Sequence, residues 1–366
     1  MRGERIEVLS ALFAAGTASG ALLCSTLPLT WLPSCVLSAF FPLLALSAAG
    51  SRSRDIRMIM AIYLAGGFFC YLAAYCSSAW ETGTMNPISS AAGTFASHLK
   101  DRIAGIPYED SGTAALVTAL LTGDRTGISR ETGRIFRESG ASHILALSGM
   151  HLGIIYMLLS WTMVPLGNSP ASRKVRSCAI IAITFFYSLA TGMSPSITRA
   201  FLFVAISETA AICGRRTKPS RVFCAALFLQ LAIDPEAIAS TGFQLSYLAM
   251  CGIILLFPRL EAWYPHERGM KTAERFDFPR RVWQASALGI SCQVFTAPLV
   301  WLKFHSFPTY FLMTNLLAMP VTTAVMVLSI ATVMLSSAGM CPGFLVAANE
   351  KTVSILIRIL TVISEM

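Results

Sequence analysis

The stretch Leu316-Leu317-Ala318-Met319-Pro320-Val321-Thr322-Thr323-Ala324-Val325-Met326-Val327-Leu328-Ser329-Ile330-Ala331-Thr332-Val333-Met334-Leu335 carries no charged side chain. About 20 such residues in a helix, rising 1.5 Å each, match the hydrocarbon thickness of a bilayer. The stretch sits inside a longer apolar run, 306–337, and has counterparts along the chain at 8–27, 32–49, 58–80, 141–164, 177–192, 196–213, 222–239, 242–258, 282–302 and 344–361. The expected fold is therefore all-α: a polytopic integral membrane protein with about 11 transmembrane helices (roughly 9 to 13), several of them broken or kinked.

Composition agrees with the runs. Apolar residues make up 55% of the 366-residue chain and charged residues 13%, about half the usual globular share. Surface grows too slowly with mass for a soluble protein to hide that much apolar side chain. A soluble enzyme, a disordered tail and a fibrous repeat are excluded. The ten cysteines lie mostly within apolar runs and form no CxxC pair, which reads as small packing residues rather than a disulfide or metal framework.

The net charge of +9 resembles a nucleic-acid signal, but the positions of the cations give a simpler cause. With the N-terminus cytoplasmic and the runs alternating, the loops at 2–5, 52–57, 173–176, 215–221 and 259–281 all fall inside, and they hold most of the 28 Lys and Arg. One orientation satisfies every loop, as the positive-inside rule requires. It places 81–140 and the C-terminus outside. The chain then divides into N-terminal transmembrane helices (1–80), an external or amphipathic segment (81–140) and a polytopic domain (141–366). Within the external segment an apolar piece at 113–121 is too short to span, and 130–139 reads as a polar helix.

A polar group in a membrane span must face protein or water, so such groups are the functional candidates. Three clusters stand out. The first is Gly123-Asp124-Arg125 followed by Glu138-Ser139-Gly140-Ala141-Ser142-His143-Ile144-Leu145-Ala146-Leu147-Ser148-Gly149-Met150-His151. Its glycines permit close approach or a helix break, and broken helices build substrate paths in transporters. On one continuous helix His143 and His151 would lie about 80° apart, a poor spacing for two metal ligands. Neither serine has the Gly-x-Ser-x-Gly surroundings of a hydrolase elbow. Packing glycines with satisfied polar neighbours remain the plain alternative.

In the second cluster, Ser194-Pro195-Ser196-Ile197-Thr198-Arg199, Pro195 reads as a first helical residue. Arg199 then falls at the external end, where it either snorkels, pairs with Asp124 or Glu208, or lines an anion path. The third is Asp234-Pro235 with Gly242-Phe243-Gln244-Leu245-Ser246-Tyr247, where interhelical hydrogen bonding competes with pore lining. Pro298, His305, Pro308, Asn315 and Pro320 are expected to break or kink the late spans without specifying chemistry.

Taken in order, Thr122-Gly123-Asp124-Arg125, Glu138-Ser139-Gly140-Ala141-Ser142-His143-Ile144-Leu145-Ala146-Leu147-Ser148-Gly149-Met150-His151-Leu152, Ser194-Pro195-Ser196 with Arg199-Ala200, and Gly242-Phe243-Gln244-Leu245-Ser246-Tyr247 resemble the motifs of the ComEC-type competence proteins over roughly 95–340. The resemblance implies an inner-membrane channel core that imports transforming single-stranded DNA during natural competence. It further implies an external DNA receptor, a separate nuclease, a cytosolic ATPase and membrane lipid as partners, with a homo-oligomer as a further arrangement.

Asp124, Arg125, His143, Ser148, His151, Arg199, Gln244 and Tyr247 are the pore or substrate-binding candidates. Gly123, Gly140, Gly149, Pro195 and Gly242 are the structural positions. Such a path needs dispersed cations, hydrogen-bond donors and a stacking platform such as Tyr247. No catalytic residue, metal site or cofactor is expected. Full-length relatives carry an external oligonucleotide-barrel-like domain and a C-terminal metallo-β-lactamase-like domain. The sequence is expected to lack both, since 81–110 is short and net acidic and none of the five histidines lies in an HxHxDH run. Transport of a small anion or other solute along the same broken-helix path, a membrane hydrolase using Ser148, and a degenerate member without transport are the alternatives.

Overall fold

The computed structural model describes residues 87–167, 169–215, 217–264, 278–305 and 310–366, together with Ala14 and Gly16. The spans expected at 8–27, 32–49 and 58–80, and the basic loops before residue 58, lie outside the described residues, apart from those two positions.

Among the described residues every regular element is helical. In chain order they are α1 (Pro87–Ala104), α2 (Ser111–Thr122), α3 (Arg130–Glu138), α4 (Ser142–Leu145), α5 (Gly149–Thr162), α6 (Pro170–Ala190), α7 (Pro195–Ile212), α8 (Pro219–Ile233), α9 (Thr241–Leu255), α10 (Phe257–Glu261), α11 (Phe278–Phe304), α12 (Phe311–Ser337) and α13 (Gly343–Ser364), with short 3-10 turns at Val164–Leu166 and Pro235–Ala239. Among the described residues five stretches are long and apolar enough to cross a membrane: Gly149–Leu166, Pro195–Ile212, Thr241–Glu261, Phe278–Phe304 and Phe311–Ser337. This is a membrane protein. Helix α6 falls short because Arg173, Lys174 and Arg176 load its first turns, and α13 carries Glu350, Lys351 and Arg358. Helix α8 is apolar but only 15 residues long.

Two of the late-span prolines do not break their helices. Helices α11 and α12 run through Pro298 and Pro320 without ending. Hydroxyls beside Pro320 turn back onto the helix: Thr322 donates to the Ala318 carbonyl at 2.8 Å and Thr323 to the Met319 carbonyl at 2.9 Å. These are ordinary i−4 back-bonds; the carbonyl that Pro320 frees is that of Leu316.

The chain divides into two compact units. One comprises Pro87–Leu166, Ala182–Ile197 and Leu248–Met366. Its core is the seam between α12 and α13, against which α1, α2, α3 and α5 pack. Helix α13 buries Val346, Asn349, Val353, Leu356, Leu360 and Ile363, an alternation of three and four residues that draws one stripe down a helix. Helix α2 buries residues nearly all round, including Leu116, Val117, Leu120 and Leu121. An apolar helix too short to span is thus a core helix. Asp110 caps it through the Gly112 N–H at 2.9 Å, and Glu350 on α13 accepts from the Glu109 and Asp110 N–H groups. In the same unit a side chain at Gly252 would place its Cβ 2.1 Å from the Ser291 carbonyl oxygen, so α9 and α11 touch backbone to backbone there.

The described residues of the other unit lie within Gly167–Ile181 and Thr198–Tyr247, with Ala14 and Gly16. Leu231, Ala237, Phe243 and Tyr247 form its core. Ser177 on α6 donates to the Glu208 carboxylate on α7 at 2.6 Å.

Candidate functional site

The first motif organises the turn between α2 and α3. Helix α2 ends on Gly123, whose φ of 81° is left-handed and whose N–H donates to the Ala119 carbonyl. Only glycine adopts this C-cap without strain. A Cβ at Gly123 would meet Leu147 Cδ1 at 2.2 Å and Cγ at 2.9 Å, so the beginning of the motif packs directly on its later part. Asp124 then folds the loop. One carboxylate oxygen accepts from Lys100 Nζ at 2.5 Å, and the other from the Thr126 N–H at 3.0 Å and Thr126 Oγ1 at 2.7 Å. The Lys100 bond, and after it the Thr126 bonds, hold the Asp124 carboxyl below the usual carboxylate range. Arg125 is exposed and makes no ion pair among the described residues.

Helix α3 follows, capped by Ser129 through the Thr132 N–H at 3.0 Å. It buries Ile135 and Phe136 while its charged face stays outward. Gly140 turns the chain with φ 75°. Thr314 on α12 donates to the Ser139 carbonyl at 2.6 Å and ties this turn to the core.

The span expected at 141–164 is interrupted, the helix break that its glycines permit. Residues Ser142–Leu145 make one helical turn, Ala146 to Ser148 are extended, and α5 starts at Gly149. The 80° separation of His143 and His151 presumed a continuous helix and does not hold. Ser148 is the N-cap of α5 rather than a neighbour of His151 on a helical face. Its N–H donates to His151 Nδ1 at 3.2 Å, and its Oγ lies 3.0 Å from the same nitrogen. A capping box normally uses Glu or Gln at this third helical position; here His151 serves. Because Nδ1 accepts an N–H, the network assigns the ring proton to Nε2.

His151 is 0% exposed, and its Nε2 has no hydrogen-bond partner among the described residues. Gln293 Nε2 on α11 and Asn315 Oδ1 on α12 are also buried and unpartnered. His143 packs its ring 5.9 Å from that of Phe311, donates through Nδ1 to the Gly140 carbonyl at 3.1 Å, and lies within reach of the Asn315 amide.

Candidates in the other unit serve its own packing. Gln244 Nε2 donates to the Ile238 carbonyl at 2.9 Å, and Asp234 caps the turn at Pro235–Ala239. Tyr247 is 6% exposed. Its ring packs 5.5 Å from Phe223 and 4.5 Å from Phe243, and its hydroxyl donates to Gln230 Oε1 at 2.9 Å. The ring is thus in the aromatic core rather than presented as a stacking platform. Arg199 is half-buried on α7, one turn after Pro195 opens that helix. A Cβ at Gly242 would meet only Ser240 Oγ at 3.7 Å, so space does not demand glycine there.

Lys100, Leu147 and Gln293 were not singled out by sequence. Gln293 carried a usable signal, an amide inside an apolar run, the same signal that flagged Gln244.

The motif order now has an external counterpart. The family described as Competence protein matches residues 120–366. The chain belongs to the competence protein family. It is 25% identical to ComE operon protein 3 of Bacillus subtilis over 218 residues, which is 60% of this chain and 25% of that protein. It is 24% identical to the uncharacterized protein YcaI of Escherichia coli over 220 residues, 58% of this chain and 28% of YcaI. It is also 26% identical to competence protein ComA of Neisseria gonorrhoeae over 144 residues, 38% of this chain and 21% of ComA. The matched part thus spans about a quarter of the length of these relatives. No solved structure matches.

Proposed function

We propose that this chain is the inner-membrane channel core through which transforming single-stranded DNA enters the cytoplasm during natural competence. It acts as a conduit rather than an enzyme. The N-terminus lies in the cytoplasm, and an external receptor, a separate nuclease and a cytosolic ATPase act with it. The observation that carries the reading is the interrupted helix at Ala146–Ser148, inside the region matched to the competence family. A backbone break beside a buried histidine whose Nε2 has no partner among the described residues is costly in a purely structural membrane helix. It is the arrangement expected where a polar solute passes.

The test is delivery of fluorescent or radiolabelled DNA to the cytoplasm in a strain deleted for this gene. Import should be lost and should return with the intact gene. Undiminished import in the deletion strain refutes the reading.

A further inference from the structure

Three buried polar atoms near the helix break have nothing to bond. His151 Nε2, Gln293 Nε2 and Asn315 Oδ1 each lack a partner among the described residues. An unsatisfied buried polar group carries the full desolvation cost of that group, and interhelical glue would have paired these atoms with one another.

They belong to one neighbourhood. Helix α5, which bears His151, packs on α12. His143, from the turn before the break, sits against Phe311 at the start of α12 and reaches the Asn315 amide one turn on. On α11, a Cβ at Gly289 would lie 3.9 Å from both Asn315 Nδ2 and Phe311, and Gln293 follows Gly289 by one turn on the same face.

The chemistry of the set narrows what it takes. Nothing in it is a carboxylate or a fixed cation. His151 offers a donor, because the Ser148 N–H already occupies Nδ1. The two amides contribute a donor and an acceptor, and exchanging O and N in either leaves one of each kind on the side chain. A phosphodiester only accepts hydrogen bonds, so it would leave an amide oxygen facing an oxygen. A metal ion would meet too few lone pairs. A nucleobase edge carries both donors and acceptors and no charge.

On the channel reading above, we propose that His151 Nε2–H, Gln293 and Asn315 form an uncharged hydrogen-bonding set that contacts the base edges of the passing strand. The strand is then handled at this point through its bases, not its phosphates. Such contacts are individually weak, as conduction requires.

The test uses the full chain in lipid nanodiscs and two strands of equal length and charge, oligo-dT and its abasic counterpart. Binding is read by fluorescence anisotropy, beside cellular import of labelled DNA. The intact protein should prefer the base-bearing strand by roughly tenfold, and Gln293→Leu and Asn315→Leu should each bring that ratio down roughly threefold or more. Gln293 is the cleaner of the two, because its Nε2 has no bond to lose, whereas Asn315→Leu also gives up the contact with His143 and His151→Leu would also remove a helix cap. Equal affinity for both strands in the intact protein, or an unchanged ratio in both variants, overturns the base-edge inference. Continued import in that case leaves the channel reading standing. Absence of import together with absence of binding to either strand defeats both.

Discussion

Lys100 Nζ on α1 meets Asp124 Oδ2 at 2.5 Å, across 24 residues of sequence. The pair fastens the turn between α2 and α3 to a helix that precedes the matched family region. Asp124 spends its other oxygen on Thr126, so its first duty is to shape the loop.

This predicts an order of damage. Asp124→Ala loses the Lys100 bond and both Thr126 bonds, and Lys100→Met loses one. Thermal unfolding in detergent should show a larger fall for Asp124→Ala than for Lys100→Met. The difference depends on pH. Lys100 and then Thr126 hold the Asp124 carboxyl below its usual range. Their contribution is therefore full above the unfolded carboxyl pKa of about 4 and disappears as acid titrates the group through its lower folded value. The gap between wild type and Asp124→Asn should be steady at neutral pH and close in acid. Equal stability of all four proteins at pH 7 rejects this role.

Gly123 is fixed by two separable demands. Its φ of 81° costs a β-carbon about 1 to 2 kcal/mol, and the same carbon would overlap Leu147. Gly123→Ala should destabilise by more than the backbone cost alone. Adding Leu147→Ala should recover the overlap but not the backbone cost, giving a favourable coupling in a double-mutant cycle. Strict additivity of the two changes argues that Gly123 and Leu147 are independent.

Asn349 holds the α12–α13 seam. It is 0% exposed, donates to Tyr108 Oη at 2.9 Å and Ser329 Oγ at 3.1 Å, and accepts from Ser329 at 3.3 Å. Asn349→Ala leaves the buried Ser329 hydroxyl and the Tyr108 hydroxyl without this partner and should cost about 1 to 3 kcal/mol. Tyr108→Phe removes one bond and should cost less. Burial raises the Tyr108 pKa first of all, and Asn349 opposes the rise by bonding the hydroxyl. Spectrophotometric titration should accordingly find Tyr108 titrating higher still in Asn349→Ala; an unmoved titration contradicts the bond.

The sequence made some of this legible and hid the rest for physical reasons. Apolar runs long enough to span report themselves, and α5, α7, α9, α11 and α12 lie where those runs are. The polar helix at 130–139 and the start of α7 at Pro195 were readable from capping and charge. What stayed hidden was pairing at a distance. Nothing local joins Lys100 to Asp124, or Gly123 to Leu147. Gln244 and Tyr247 were flagged because polar groups in apolar runs draw attention, yet their partners, Ile238 and Gln230, lie in the same unit and give both a packing duty. Pro298 and Pro320 read as breaks because proline removes a backbone donor. A soluble helix would end there; these helices continue.

The Ser148–His151 contact separates a cap from a catalytic pair. A nucleophilic serine needs a base whose far nitrogen is oriented by a third group. Here His151 Nε2 has no such partner among the described residues, and Nδ1 takes the Ser148 backbone N–H. Ser148 should therefore stay unlabelled by serine-directed fluorophosphonates. Ser148→Ala should cost about 1 kcal/mol as a lost N-cap side chain. His151→Gln should keep more stability than His151→Leu, because glutamine at the third helical position also accepts the N-cap N–H. The two His151 variants are compared by thermal unfolding in the same detergent. Covalent labelling of Ser148 that vanishes in His151→Leu would instead establish a reactive dyad. Indistinguishable stability of His151→Gln and His151→Leu would remove the cap.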